Sequence, residues 1–242
     1  MKVNRSYHGF TLIEMSIVII VVSLILAGVI NTVGVQRQQL KRDETRQMLE
    51  TIKEALIGFA LTNGRLPCPD TGVDGLEDHN LGVTGPPPSP CSSDEGWLPH
   101  VDIGIGNVDV WGNRFRYSVT GSGVDNFADD PPHAGPPLAV NSSFAVDTDG
   151  TIVVNDNDQA AAGVSVLANT IPAIVLSYAE NGVIQTACGG GLSARELENC
   201  DGDVNFVDSF YSDVNGQEYD DLVVWIPLTL LKSRMVEAAL LP

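Results

Sequence analysis

Gly9-Phe10-Thr11-Leu12-Ile13-Glu14 opens a run in which residues 10–30, twenty-one in number, carry a single charge, Glu14. As a helix, that run spans roughly 30 Å, the thickness of a bilayer's hydrocarbon core. An ionised carboxylate in an apolar span costs on the order of 2 to 3 kcal/mol, so Glu14 needs a cationic partner. The helical spacing continues through Leu40, Met48, Leu49, Ile52, Ala55, Leu56, Phe59 and Ala60, with Asp43, Glu44, Lys53 and Glu54 off that stripe. Asn63-Gly64 supplies a stop and Pro67 forbids continuation. One helix over residues 10–63 is predicted, roughly 80 Å long, apolar all round in its first half and one-sided in its second. Gly28, Asn31 and Gly34 are weaker helix formers within it.

The rest of the chain is acidic. Net charge is -18, and from Gly64 onward 6 Lys and Arg face 26 Asp and Glu, a head charge of -20. Such a surface repels phosphate backbones, so no direct nucleic-acid binding is expected. Arg37, Lys41, Arg42 and Arg46 cluster on the helix just past the apolar run. Anionic headgroups or an acidic neighbouring head would suit them, as would a solvated face. Counted alone, these basic residues would hold the head in the cytoplasm, but long domains translocate regardless of nearby charge. Cys68, Cys91, Cys188 and Cys200 all lie beyond the apolar run, in Pro, Gly and Asp-rich stretches. An even number in that setting reads as two disulfides in an oxidising compartment, which places the head outside. Three connectivities are open; pairing Cys68 with Cys91 and Cys188 with Cys200 closes the shortest loops. Zinc is the rival, with no CxxC spacing to support it.

In the head, Phe115, Tyr117 and Val119 alternate with Arg114, Arg116 and Ser118, predicting a strand with one buried face after a Gly112-Asn113 turn. Trp111 would cap the core there, or stack on a sugar. Further strands are predicted over residues 143–146, 151–154 and 173–178, and a buried strand over 222–226. A short apolar helix is expected over residues 160–168, a capping box at Ser193 with Glu196, and a closing helix over 229–241 with Leu230, Leu231, Met235, Val236 and Leu240 as its apolar set. Residues 70–108, with Pro86-Pro87-Pro88, and residues 121–142 read as loop layers. The fold class is therefore α+β: a long N-terminal helix on a small, mostly antiparallel sheet with long loops and a C-terminal helix.

Chemistry finds few footholds. His79, His100 and His133 read as solvent-facing loop histidines, and HExxH, GxSxG and phosphate-loop patterns are missing from the sequence. Asp147, Asp149, Asp156 and Asp158 could offer hard oxygens to calcium, as could Asp201 and Asp203, though Asp-Gly pairs are also common turn formers. No other cofactor is expected.

Lys2, Arg5 and His8, then Gly9-Phe10-Thr11-Leu12-Ile13-Glu14 and a long apolar helix, resemble the signal of type IV prepilins and type II secretion pseudopilins. Asn63-Gly64-Arg65-Leu66-Pro67 and Asp109-Val110-Trp111-Gly112-Asn113 are similar to two landmarks of major pseudopilins, the exit from the long helix and a turn before the first strand. The resemblance implies a leader, residues 1–9, cut between Gly9 and Phe10 by a prepilin peptidase that also methylates Phe10. It implies a transmembrane and filament-core helix over 10–35, its amphipathic continuation over 36–63, and a head over 64–242. Glu14 would then pair with the terminal amine of a neighbouring subunit. The implied partners are other pilin or pseudopilin subunits, an inner-membrane assembly platform and the lipid bilayer. The implied location is the inner membrane, single-pass, with a cytoplasmic N-terminus and a periplasmic head, and afterwards the pilus or pseudopilus. Major pseudopilins bind calcium in a C-terminal loop, for which no match is apparent here. A head longer than those of the family points to a minor subunit, without enzymatic activity. Two other readings are a filament-displayed adhesin or ligand-binding tip, and a non-polymerising membrane-anchored periplasmic domain.

Overall fold

The computed structural model describes residues 9–80, 90–121, 126–128, 142–158, 161, 163–182 and 192–241, except for the side chains of residues 26–35. Helix α1 runs Leu12–Asn63 and is followed by β1 (Glu95–Trp97), β2 (Arg116–Val119), β3 (Ile152–Asn155), β4 (Val166–Ile171), β5 (Ala173–Ser177), α2 (Ala194–Glu198), β6 (Asn205–Val207), β7 (Leu222–Ile226) and α3 (Leu228–Glu237). The chain divides into two compact units, Met1–Asp43 and Glu44–Pro242.

In the first unit, Thr11 opens α1. Its hydroxyl accepts the Glu14 N–H at 3.3 Å and its carbonyl that of Met15 at 3.3 Å, satisfying donors that a helix start would otherwise leave orphaned. Among the described residues, no helix is long and apolar enough to cross a membrane. The apolar stretch whose side chains are described, residues 12–25, is shorter than the roughly twenty residues a span needs.

The second unit is layered. α1 ends where Gly64, at φ +73°, turns back with its N–H on the Ala60 carbonyl at 2.8 Å. Leu49, Ile52, Leu56, Ile57 and Ala60 form the buried stripe of α1, each contributing on the scale of about 1 to 3 kcal/mol. Leu40, part of the predicted stripe, is exposed.

The stripe packs on a four-stranded sheet of order β1-β2-β5-β7, antiparallel throughout. A second sheet, β4-β3-β6, has β3 antiparallel to β4 and parallel to β6. The head thus has two sheets where one was expected. Strand β5 explains the layering: Ala173 and Val175 enter the core with α1, while Ile174 and Leu176 enter a second core with Ile152, Val154, Ile171 and Phe206. β7 divides likewise, Leu222 and Ile226 one way, Val223 and Trp225 the other. Burial on both faces is why these strands read as unbroken apolar runs.

Three further expectations are corrected. The stretch read as a short apolar helix contains the start of β4, whose pairing with β3 supersedes an apolar run too short to declare its period. Residues 143–146 form a bend running into a turn and not a strand, with Phe144 turned in against Phe127 at a ring-centroid distance of 4.6 Å. Closing helix α3 ends at Glu237, leaving Leu240 and Leu241 to pack from non-helical backbone. Much of 121–142 and Pro86-Pro87-Pro88 lie outside the described residues.

Candidate functional site

Two regions carry candidate chemistry, the N-terminal segment and the polar clusters of the head. Phe10, Leu12, Ile13, Met15, Ile17, Val18, Ile19, Ile20, Val21, Val22, Leu24 and Ile25 are between 47% and 93% exposed, on every side of the helix. A helix apolar all round is stable only when something covers it. Ser16 and Ser23 donate to the carbonyls of Ile13 at 2.8 Å and Ile19 at 2.7 Å, so neither hydroxyl adds a polar demand. Gly9 and Phe10 are exposed ahead of α1, and Glu14 takes part in no ion pair among the described residues.

In the head, Arg65 makes a two-pronged bond to Glu77 at 2.7 and 2.8 Å, and Glu77 also accepts the Cys68 N–H at 3.1 Å. Burial pushes the Glu77 carboxyl up, but the hydrogen bonds and charge of Arg65 outweigh it and hold the group below its ordinary value. His79 Nε2 lies 3.4 Å from Glu77. Cys68, Glu77 and His79 form a three-ligand constellation, yet the Cys68 sulfur is bonded to Cys91 and so cannot serve as a zinc thiolate. His79 and His100 are half-buried and not solvent-facing, while His133 lies outside the described residues.

Asp109 organises the Trp-Gly-Asn turn. Its Oδ1 accepts the N–H groups of Trp111 and Asn113, both at 2.9 Å, and its Oδ2 accepts the Ser177 hydroxyl at 2.6 Å. Asn113 Nδ2 then donates to the Ala179 carbonyl at 2.6 Å, so the turn is bolted to the end of β5. Trp111 packs, half-buried, on the first core.

A third cluster joins α2 to β6 and β7. Ser193 and Glu196 form the capping box. Asn199 Nδ2 donates to Asp221 Oδ2 at 2.8 Å, and Asn199 Oδ1 accepts the Val207 N–H at 2.7 Å. Tyr219 donates to the Val207 carbonyl at 2.6 Å, and burial pushes its hydroxyl well above the usual range. Glu196, Asp220 and Asp221 bring carboxylate oxygens within 4.8 Å of one another, but these acids are engaged in the network that holds the elements together.

The acids singled out for calcium are dispersed in role. Asp147 is exposed, Asp149 lies 3.9 Å from Lys232, and Asp156 accepts the Ser165 N–H at 2.8 Å. Neither these nor Asp158 belongs to a three-ligand group among the described residues. Asp201 and Asp203 cap their own loop, through the N–H groups of Asp203 and Asn205. Cys200 is disulfide-bonded, and Cys188 lies outside the described residues.

Residues 4–30 match the Prokaryotic N-terminal methylation motif. The chain is also 29% identical over 119 residues to Type II secretion system core protein G of Pseudomonas aeruginosa, a match covering 49% of this chain and 78% of that protein. These matches support the pilin and pseudopilin family. No solved structure gives a significant match. For a pilin-like chain the two regions take distinct meanings: the bare helix is the part that needs neighbours, and the polar clusters are what hold its head.

Proposed function

We propose that this chain is a structural subunit, a minor pilin or pseudopilin, of a type IV pilus-like or type II secretion filament. Prepilin peptidase cuts between Gly9 and Phe10 and methylates Phe10, from an inner-membrane precursor with residues 1–9 in the cytoplasm. Residues 10–35 pass from bilayer to filament core, residues 36–63 continue the helix, and the head over 64–242 stands in the periplasm and then on the filament surface. The observation that carries the reading is the matched methylation motif over residues 4–30, within which twelve apolar side chains stand exposed around Glu14.

Burying that surface among neighbouring copies supplies binding energy, and Glu14 sets axial register by pairing with a neighbour's terminal amine. Glu14→Ala in cells that hold the processing protease separates the readings. Loss of filament incorporation of at least about tenfold, a change of some 1.4 kcal/mol per subunit, is expected with normal membrane insertion. Unchanged incorporation would remove the assembly role and leave a non-polymerising anchored domain, and a mature terminus other than methylated Phe10 by mass spectrometry would remove the processing step.

A displayed ligand-binding tip is the second reading, favoured by Phe210 at 94% and Tyr211 at 57% exposure on the loop between β6 and β7.

A further inference from the structure

The two bridged cysteines differ in what surrounds them. Cys68 is 0% exposed, its N–H is held by Glu77 at 3.1 Å, and the carbonyl before it, on Pro67, accepts the Tyr117 hydroxyl at 3.1 Å. Cys91 is half-buried and packs on the outside of the first core. A thiolate arriving from solvent therefore reaches the Cys91 sulfur first. In-line attack there makes Cys68 the leaving sulfur, and a leaving sulfur departs faster the better its thiolate is stabilised.

The buried sulfur has the neighbours a leaving group needs. His79 Nδ1 lies 3.6 Å from Cys68 Sγ, and the other ring nitrogen, Nε2, lies 3.4 Å from Glu77. Glu77 is fixed by the two-pronged bond from Arg65, which holds its carboxyl below the ordinary value and so leaves it an acceptor only. The ring thus stands between a carboxylate and a sulfur. Acid, histidine and sulfur in that order activate cysteine nucleophiles, and the same order run in reverse stabilises a departing thiolate. The backbone holds the ring in place: His79 pairs with Cys91 in an antiparallel bridge, and the Asn80 N–H donates to the Pro90 carbonyl at 2.8 Å. On another side the Ala128 carbonyl lies 3.8 Å from the Cys68 sulfur, placed to accept a thiol S–H. Burial alone disfavours a thiolate and slows exchange at a bridge; His79 removes that obstacle here.

We propose that Cys68 and Cys91 form a thiol–disulfide exchange site whose substrate is an external dithiol. One thiolate of the dithiol attacks Cys91 Sγ and forms a mixed disulfide. The Cys68–Cys91 bond breaks with its electron pair going to Cys68, which takes a proton from His79 Nδ1. The second thiol of the dithiol, as its thiolate, then attacks its partner sulfur in the mixed disulfide, closing the dithiol's own disulfide and releasing Cys91 as a thiolate that is protonated from water. His79 recovers its proton from solvent, so that two electrons and two protons have passed from the dithiol to the bridge. Opening the bridge unfastens the loop layer after α1 and leaves the Arg65–Glu77 pair in place. The site is independent of filament assembly.

The test uses the full chain in detergent at neutral pH, treated with excess dithiothreitol, quenched by alkylation at timed intervals and read by peptide mass spectrometry. His79→Gln keeps a polar side chain and removes the titrating nitrogen. It is expected to slow reduction of the Cys68–Cys91 bridge by at least about tenfold, a modest part of what a positioned proton donor supplies. The disulfide at Cys200 is expected to reduce at the wild-type rate in the same sample. A merely structural histidine gives the opposite sign, because loosening the loop exposes Cys68 and speeds reduction. With glutathione, a monothiol, in place of dithiothreitol, the wild-type chain is expected to carry the glutathionyl group on Cys91 and the alkyl group on Cys68. The proposal is overturned if the bridge in His79→Gln is reduced as fast as in the wild type or faster, or if the glutathionyl group is found on Cys68.

Discussion

Arg65 and Glu77 show how one pair can tie a loop to a helix end. Arg65 is 7% exposed, lies 5.5 Å from the centre of the Phe59 ring, and donates to both oxygens of Glu77. A charge this buried is tolerated only when its donors are satisfied, which the forked guanidinium geometry achieves. Because the folded-state pKa of Glu77 lies below its ordinary value of 4.5, the pair's contribution is complete above that pH and is lost as pH falls through the folded value. Glu77→Gln should therefore cost about 2 kcal/mol at neutral pH. Its denaturant midpoint should also fall less steeply than the wild type's when pH is lowered from 6 to 3. Parallel curves for the two proteins would refute the pairing. Asp78 shares the direction of that trend, held down chiefly by the Thr71 hydroxyl.

Among the elements, the Trp-Gly-Asn turn has the clearest consequence. Asp109 is 5% exposed and accepts three donors from two segments, so one side chain sets both the turn and its attachment to β5. Asp109→Ala leaves the Ser177 hydroxyl and two main-chain N–H groups without their acceptor, and should destabilise the head by about 2 to 4 kcal/mol, measured by chemical denaturation. The turn was legible because Gly112-Asn113 is turn chemistry and the residues after it alternate. Strands β1 and β6, three residues each, were not legible: Glu95–Trp97 and Asn205–Val207 are too short to show a period. β4 was misread because its outer face stays exposed and its register against β3 is broken by bulges, with Thr170 at φ +55°.

At the scale of the whole molecule, the Cys68–Cys91 bridge closes a loop with a sequence separation of 23. Replacing both cysteines with alanine should lower stability by about 3 kcal/mol on the loop-entropy account. The unfolding temperature should fall by roughly 2 to 4 °C for each kcal/mol, and calorimetry of the full chain in detergent measures it. A pair of alanines that leaves the midpoint where it was would show that the Arg65–Glu77 pair and the loop's hydrogen bonds hold the layer without the bridge.

Sequence by itself determined the long helix, its bare first half, its stop at Asn63-Gly64, the methylation motif and the buried strand β7, because these depend on periodicity and composition along one segment. Tertiary structure decided the rest: that the head holds two sheets, that residues 143–146 bend inward, and that His79 meets Glu77. It also decided that Asp70 is buried, with its Oδ2 on the Gly75 N–H. The two sheets and the inward turn of Phe144 depend on contacts between residues far apart in the chain, which local pattern does not encode; His79 and Glu77, two residues apart, meet only because the folded loop brings their side chains together.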